Sequence, residues 1–191
     1  MAPADVQMYW LGFLTAAGHI WGQGSSLTLV VTLGEESRDS IETLIADLAT
    51  DHVRYEFCRS NILGWQVYLR DEALCKALFP WGVPSALQGD DPALLDDLPK
   101  ELAGPFIRGY ADGSRKPPHS PNGRKDDRCV WYGSPEILTG IKSMIQRLWG
   151  ISGVVSKKPG GAELRFTSHG ACRTLQALLD AYPSRAPAGA P

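Results

Sequence analysis

A constant offset of 97 residues relates the first half of this 191-residue chain to the second. Adding 97 to Gly12 reaches Gly109, and adding it to Cys75 reaches Cys172, with no gap needed in between. Apolar residues match at the same offset: Phe13 with Tyr110, Ile41 with Leu138, Leu44 with Ile141, Leu48 with Ile145, Phe57 with Val154, Val67 with Leu164, Leu69 with Phe166 and Leu78 with Leu175. One register that spans several elements indicates an internal repeat, which restricts the fold more than any single element does.

Each half has the same predicted order of helices and strands. Apolar residues at helical spacing predict helices over 9–17, 40–48 and 72–79 in the first half and over 102–111, 135–149 and 170–182 in the second. β-branched or alternating stretches predict strands over 26–33, 53–59 and 64–70, and over 128–132, 154–158 and 162–167. The expected class is α+β, with a first unit over 6–83, an acidic, proline-containing linker over 84–98, a second unit over 99–183 and a flexible tail over 184–191.

The composition of the chain indicates its location in the cell. No apolar stretch approaches the roughly 20 residues that a membrane-spanning helix needs. The first residues show neither the basic nor the apolar region of a secretory signal. The four cysteines are widely spaced within apolar segments, which favours reduced core residues over disulfides or a zinc site. We therefore expect a soluble intracellular protein, located in the cytoplasm or the nucleoid.

Charge is distributed unevenly along the chain. The formal net charge is -2, which counts against a protein that binds nucleic acid. Residues 89–101 hold five acidic side chains against Lys100, a net of -4, so the rest of the chain sums to +2. The acid is concentrated in one segment, which is compatible with a basic surface elsewhere.

Two short segments carry the most specific motif. They read Trp10-Leu-Gly-Phe-Leu-Thr-Ala-Ala-Gly18 and Phe106-Ile-Arg-Gly-Tyr-Ala-Asp-Gly-Ser114, and the second follows Leu98-Pro-Lys-Glu-Leu-Ala-Gly-Pro105. In these segments the chain resembles the LAGLIDADG homing endonuclease superfamily, and its two units resemble the monomeric, two-repeat members. The resemblance implies two pseudo-twofold-related αββαββα units whose antiparallel sheets form a saddle over double-stranded DNA. It also implies a monomer.

Gly12 and Gly109 fit this arrangement physically. Two helices can approach with their backbones nearly touching only where side chains are absent. The resemblance places these two glycines at the helix interface between the halves. The alternative explanation is that each glycine is a tolerated helix defect that costs about 1 kcal/mol.

The positions expected to be catalytic lack acidic residues. The resemblance implies that a carboxylate five residues after each packing glycine binds the divalent metal ions that activate water. Here those positions hold Ala17 and Ser114, which supply no anionic oxygen for Mg²⁺. Asp112, three residues after Gly109, is the candidate catalytic residue if cleavage remains, and its counterpart is Thr15. No cofactor is expected, except Mg²⁺ if that alternative holds.

Alternation along the strands predicts which side chains could contact DNA. Residues that alternate with the apolar positions of a strand point away from the core. Those predicted to face outward and bind nucleic acid are Arg54, Gln66, Tyr68, Arg70, Lys157 and Arg165. The acidic Glu163 is also predicted to face outward. The loop over 114–127 adds Arg115, Lys116, Arg124 and Lys125. A merely solvated sheet face, or a loop with incidental charge, would have the same composition.

The leading hypothesis is a DNA-binding protein on the LAGLIDADG scaffold whose nuclease activity is lost or largely lost. It rests on the repeat, the paired glycines and the missing acids. One alternative is an active metal-dependent endonuclease or nickase that uses Asp112. Another is a module that binds protein, which the acidic linker favours, or one that binds RNA.

Overall fold

The structure is a computed structural model that describes residues 3–23, 26–33, 38–48, 54–60, 64–85, 95, 97–114 and 129–185. The first half contains α1 (Pro3–Ala17), β1 (Gly18–Gln23), β2 (Ser26–Leu33), α2 (Arg38–Leu48), β3 (Arg54–Ser60), β4 (Gly64–Arg70) and α3 (Glu72–Leu78). The second half contains α4 (Lys100–Gly113), β5 (Val130–Gly133), α5 (Pro135–Trp149), β6 (Val154–Lys158), β7 (Gly161–Arg165) and α6 (His169–Asp180). The class is α+β, as the sequence predicts.

Most of these elements lie where the sequence predicts them, and one, which the resemblance implies, was not located in the sequence. The helix over 135–149 and the strands over 26–33, 64–70 and 154–158 begin and end at the predicted residues. Strand β1 is the addition. Two glycines among its six residues, Gly18 and Gly22, weaken the sequence pattern of a strand. Positions 115–120, the counterpart of β1 at the offset of 97, lie outside the described residues.

The strands form two antiparallel sheets, one in each half. The four-stranded sheet has the order β1-β2-β4-β3, and the described strands of the second half pair in the order β5-β7-β6. Beyond its pairing with β2, β1 is also held on its other edge. There the Ile20 amide donates to the Pro84 carbonyl oxygen at 2.7 Å, and a parallel bridge joins Ile20 to Ser85. Both edges of this strand are therefore fixed.

Helices α1 and α4 pack against each other through their glycines. A Cβ added at Gly12 would overlap the carbonyl oxygen of Phe106 and lie 3.0 Å from the amide nitrogen of Tyr110. A Cβ added at Gly109 would overlap the carbonyl oxygen of Tyr9. Because Phe106 follows Tyr9 by 97 residues, the two contacts are reciprocal. The predicted helix interface at Gly12 and Gly109 is thus the place where the two backbones touch.

The two central helices run in the same direction. A Cβ added at Gly109 would meet Tyr9, and one added at Gly113, a turn further along α4, would meet Phe13 and Ala16, a turn or more further along α1. The contacts therefore advance together along both helices, and their C-terminal ends lie side by side. This arrangement brings Ala17 and Ser114 to the same end of the helix pair.

The closing helix of each half begins with the same kind of cap. The Asp71 side chain accepts a hydrogen bond from the Leu74 amide at 2.9 Å at the start of α3. The Ser168 hydroxyl accepts one from the Ala171 amide at 3.0 Å at the start of α6. Both satisfy a free amide of the first helical turn, and both lie at positions related by the offset of 97. In the described part of the chain, no helix has the length and apolar character to cross a membrane.

Candidate nucleic-acid interface

The outer face of the four-stranded sheet carries an ordered set of polar side chains. On β4, Val67 and Leu69 are buried in the core, whereas Gln66, Tyr68 and Arg70 lie on the opposite face, as alternation predicts. The Tyr68 hydroxyl donates to Oε1 of Gln66 at 3.0 Å.

A second bond completes the orientation of the Gln66 amide. Its Nε2 donates to the Thr32 hydroxyl at 3.1 Å, and Thr32 is its partner in the β2–β4 register. A side-chain amide has two N–H donors and an oxygen that can accept two hydrogen bonds. After these two bonds, the Gln66 amide can still donate one hydrogen bond and accept one. Chemically, a glutamine held in this way can both donate to and accept from the edge of a base such as adenine.

The outer faces of both sheets also hold exposed apolar side chains. Among the described residues, the exposed large hydrophobics are Trp21 at 65%, Val154 at 55% and Tyr132 at 37%. Trp21 pairs with Thr28, which alternates with the buried residues of β2. Tyr132 pairs with Glu163 and Val154 with Arg165, on the face of the second sheet that points away from buried Leu164. All three therefore lie on the side of the sheets that faces away from the core.

The outer face of the second sheet is dominated by an ion-pair cluster. Glu163 accepts from Arg165 at 2.7 Å and lies 3.3 Å from the Lys158 ammonium. Glu163 lies on the outer face, as alternation predicts, but its side chain is only 8% exposed because the Arg165 and Lys158 side chains lie against it. Arg165 is on the predicted face, with one carboxylate already bound to its guanidinium.

The predicted position of Lys157 needs a correction. Its partner across the β6–β7 register is Ala162, which is buried, so Lys157 belongs to the face that continues the core. It is exposed because β6 is an edge strand among the described residues and Lys157 lies near its end. Lys158, paired with Gly161, is the lysine that shares the face of Glu163. Partners in an antiparallel register point to the same side, which decides the assignment.

The remaining predicted contact residues are only partly described. The backbone of Arg54 pairs with that of Arg70 at the end of the four-stranded sheet. Arg115, Lys116, Arg124 and Lys125 lie outside the described residues, so their part in an interface stays a prediction.

The ends of the central helices provide no carboxylate where a nuclease of this type would need one. The Ala17 side chain has no ligand atom, and the Ser114 hydroxyl is buried and faces the Ala111 carbonyl oxygen at 3.4 Å. Across the described residues, no group of three His, Cys, Asp or Glu side chains could hold a metal ion. The residues at these two positions therefore do not fit a pair of divalent cations, which require anionic oxygen ligands.

Asp112 lies in a hydrogen-bonded network between the helices. Its Oδ2 accepts from the Tyr9 hydroxyl at 2.9 Å, from Nε of Arg108 at 3.0 Å and from the Ser184 hydroxyl at 2.6 Å. The side chain is only 4% exposed. Arg108 also donates to Asp180 at 2.9 Å, where α6 ends. The carboxylate thus joins α1, α4 and the segment after α6.

Electrostatics stabilise this network in its charged form. Burial opposes the charge of Arg108, but the neighbouring carboxylates of Asp112 and Asp180 outweigh that effect and raise the pKa of the guanidinium. Arg108 therefore stays ionised in the folded protein, and its charge is matched by Asp112. A carboxylate that neutralises a buried arginine and accepts three hydrogen bonds has the surroundings of a structural residue rather than of a metal ligand.

Sequence reasoning missed three residues of these sites. Lys158 was missed because the phase of β6 was assigned without its partner strand. Arg108 carried a signal, since an arginine four residues before an aspartate on one helix commonly forms an ion pair. Trp21 carried no such signal, because no pattern in the sequence located β1.

Solved structures resemble this chain over nearly its whole length, although no protein-family model and no curated protein sequence matches it. Mesophilic variants of the homing endonuclease I-DmoI align with a TM-score of 0.68 and 12% identity, over 94% of this chain and 98% of that one. The homing endonuclease I-WcaI bound to its DNA recognition sequence aligns with a TM-score of 0.63 and 8% identity, over 95% and 83%. The N-terminal LAGLIDADG domain of WhiA aligns with a TM-score of 0.62 and 11% identity, over 96% and 85%. The chain therefore has the fold of the LAGLIDADG homing endonucleases.

Proposed function

We propose that this protein binds DNA through the outer faces of its two sheets and does not cut both strands. The observation that carries the proposal is the composition of those faces. They hold hydrogen-bonding side chains, the exposed Trp21 and Tyr132, and the cations Arg70, Lys158 and Arg165. Arginine and glutamine suit base edges, lysine suits phosphates, and aromatic rings suit bases or sugars.

The fold supports the same surface. The homing endonuclease I-WcaI and the endonuclease I-DmoI have been crystallised with DNA, and both share the arrangement of two sheets flanking a central helix pair. Because this chain has the same fold, we propose that its two sheets provide the surface that binds DNA.

The absence of double-strand cleavage is proposed from the helix ends. Two-metal hydrolysis places a cation at both the attacking and the leaving oxygen, and each cation needs carboxylate ligands. Ala17 and Ser114 offer none, and Asp112 is engaged by Arg108, Tyr9 and Ser184. We therefore expect a protein that occupies DNA, in a regulatory role, rather than one that breaks it.

Fluorescence anisotropy with a labelled, mixed-sequence duplex at low salt tests the binding. We expect binding at micromolar protein that weakens as salt rises, because cations released from the phosphates favour the complex. Arg70→Ala should weaken binding several-fold. Arg173→Ala removes an exposed cation from α6, away from the sheet faces, and is the matched control that should bind like wild type. No binding at micromolar protein would reject the proposal.

Supercoiled plasmid incubated with Mg²⁺ or Mn²⁺ tests the lack of cleavage. We expect the plasmid to remain supercoiled. If wild type nicks the plasmid and the Asp112→Asn variant does not, the result would instead support the nickase alternative. Nicking by Asp112 would require its hydrogen-bonded network to open. Linear plasmid from wild type would contradict the proposed function directly.

A further inference from the structure

Trp21 is the most exposed large apolar side chain in the described part of the chain, at 65%. It projects from β1, whose one edge pairs with β2 and whose other edge is bonded to Pro84. The indole is therefore presented from a fixed strand and not from a loop. Binding to such a preorganised ring costs little conformational entropy.

A cation lies in the same cross-strand row as this indole. Trp21 pairs with Thr28 on β2, and the β2–β4 register places Leu29 opposite Leu69. One step further in that register, Thr28 comes opposite Arg70, which is exposed. Two strand spacings separate the Cα atoms of Trp21 and Arg70 by roughly 10 Å. This is the scale of one nucleotide, from its base to a flanking phosphate.

An intact duplex offers no exposed base face on which the ring of Trp21 could stack. Its bases are stacked on one another and show a protein only their edges in the grooves. A base that has left the stack offers a π-face, and stacking on an aromatic side chain is favourable for every kind of base. The exposed ring is thus best satisfied by an unstacked base.

The charges of the face point in the same direction. In the second sheet, Glu163 neutralises part of the charge of Arg165 and Lys158, and the whole chain carries a net charge of -2. Among the described side chains of the two outer faces, the lysines and arginines are Arg70, Lys158 and Arg165, so neutralisation of phosphates by these residues supplies only part of the binding. Stacking adds affinity that does not depend on charge.

We infer that this face prefers DNA with unstacked bases, such as a single-stranded segment or an open bubble within a duplex. Trp21 is the stacking platform and Arg70 binds the neighbouring phosphate. The inference rests on the proposed function, since it assigns the form of DNA that the same surface prefers.

The test compares a fully paired duplex with the same duplex carrying a central unpaired bubble, by anisotropy at constant salt. Wild type should bind the bubble about tenfold more tightly than the paired duplex. Trp21→Ala should lose about tenfold on the bubble and little on the paired duplex. Trp21→Phe should keep most of the preference, because it keeps an aromatic face. Arg173→Ala, which removes an exposed side chain of α6 and leaves both sheet faces unchanged, is the matched control and should keep all of it.

Each outcome is distinct. Equal affinity of wild type for the two probes would overturn the inference and leave the proposed function standing. A Trp21→Ala variant that weakens both probes by the same factor would also overturn it, because the indole would then contact paired DNA. Failure of wild type to bind either probe would reject the proposed function, and the inference with it. Thermal unfolding of each variant checks that the exposed substitution leaves the fold intact.

Discussion

Helices α1 and α4 make the same close backbone contact at Gly12 and Gly109, which together form a glycine notch, but they carry different side chains around it. At the glycines the two backbones meet reciprocally, Gly12 against Phe106 and Gly109 against Tyr9. One turn away, the helices differ. Where α1 has Leu11 and a buried Thr15 that donates to the Leu11 carbonyl oxygen at 2.9 Å, α4 has an ion pair.

The difference is the pair Arg108 and Asp112, which occupies the positions of Leu11 and Thr15 at the offset of 97. In α4 these charges bind Asp180 at the end of α6 and Ser184 in the segment that follows it. The backbone fit is thus common to both helices, whereas the polar network belongs to one. The close backbone contact leaves no room for a side chain at the two glycines, whereas the positions around them hold different side chains in the two helices.

The largest expected effect comes from filling the notch. Gly12→Ala and Gly109→Ala should each lower the free energy of unfolding by about 3 kcal/mol or more, because the added methyl must push two helix backbones apart. Chemical denaturation measures the loss. The two losses should be similar, since the contacts are reciprocal.

Gly170→Ala provides the matched control for this prediction. Gly170 also lies in a helix, but a Cβ added there has nothing within 4 Å. Alanine should leave stability unchanged or raise it by about 0.5 to 1 kcal/mol, because alanine favours the helix. A Gly12→Ala variant as stable as Gly170→Ala would contradict the notch.

The second prediction concerns the ion pair in α4. Asp112→Asn should lower the free energy of unfolding by about 2 kcal/mol, because it leaves the buried Arg108 charge poorly matched. Arg108→Leu should cost a similar amount by leaving Asp112 without its cation. Both are measured by denaturation at neutral pH, where arginine is ionised. The neighbouring carboxylates raise the pKa of Arg108, so its contribution to stability is present at neutral pH and is lost as the pH rises through the raised value.

The double substitution Arg108→Leu with Asp112→Thr sharpens the comparison, since it copies Leu11 and Thr15 of α1. We expect it to lie within about 1 kcal/mol of wild type, because replacing both members of a buried pair avoids an unmatched charge. A double variant that is less stable than either single variant would show that α4 needs the charges, and that the two helices are not interchangeable here.

Much of the fold could be predicted because its determinants are local. Gly12 and Gly109 lie at one offset, and Asp71 and Ser168 are recognisable caps at the same offset. The resemblance implies a strand before β2, but β1 could not be located in the sequence, since its two edges pair with β2 and with Pro84, and neither partner is visible in six residues that include two glycines.

The candidate interface was predicted only where strand phase was clear from the strand itself. In β4 the buried Val67 and Leu69 fix the phase, so Gln66 and Tyr68 were placed correctly. In β6 no such strong alternation exists, and the register with β7 decides which lysine faces outward. The role of Asp112 was equally beyond the sequence, because its partners Tyr9 and Ser184 are far away along the chain.

A smaller effect is expected where the C-terminal segment reaches the first half. Arg185 donates to Asp47 of α2 at 2.9 Å, and the indole nitrogen of Trp10 donates to the same carboxylate at 2.7 Å. Arg185→Ala should cost about 0.5 kcal/mol, because the arginine is partly exposed and water screens the pair. Asp47→Ala should cost more, since it also leaves the indole N–H without its acceptor. Equal losses would mean that the indole bond contributes nothing.

The last comparison separates helices α3 and α6 at Cys75, whose counterpart at the offset of 97 is Cys172. Burial, helped by the charge of Asp71, raises the pKa of the Cys75 thiol from 9.0 to about 11. The unfolded chain would lose this proton near pH 9 while the folded chain holds it. The stabilisation is therefore complete below pH 9 and is lost as the pH rises toward 11. The stability advantage of wild type over Cys75→Ala should shrink across that range, and a constant difference from pH 8 to pH 11 would mean that the thiol is not held protonated by the fold.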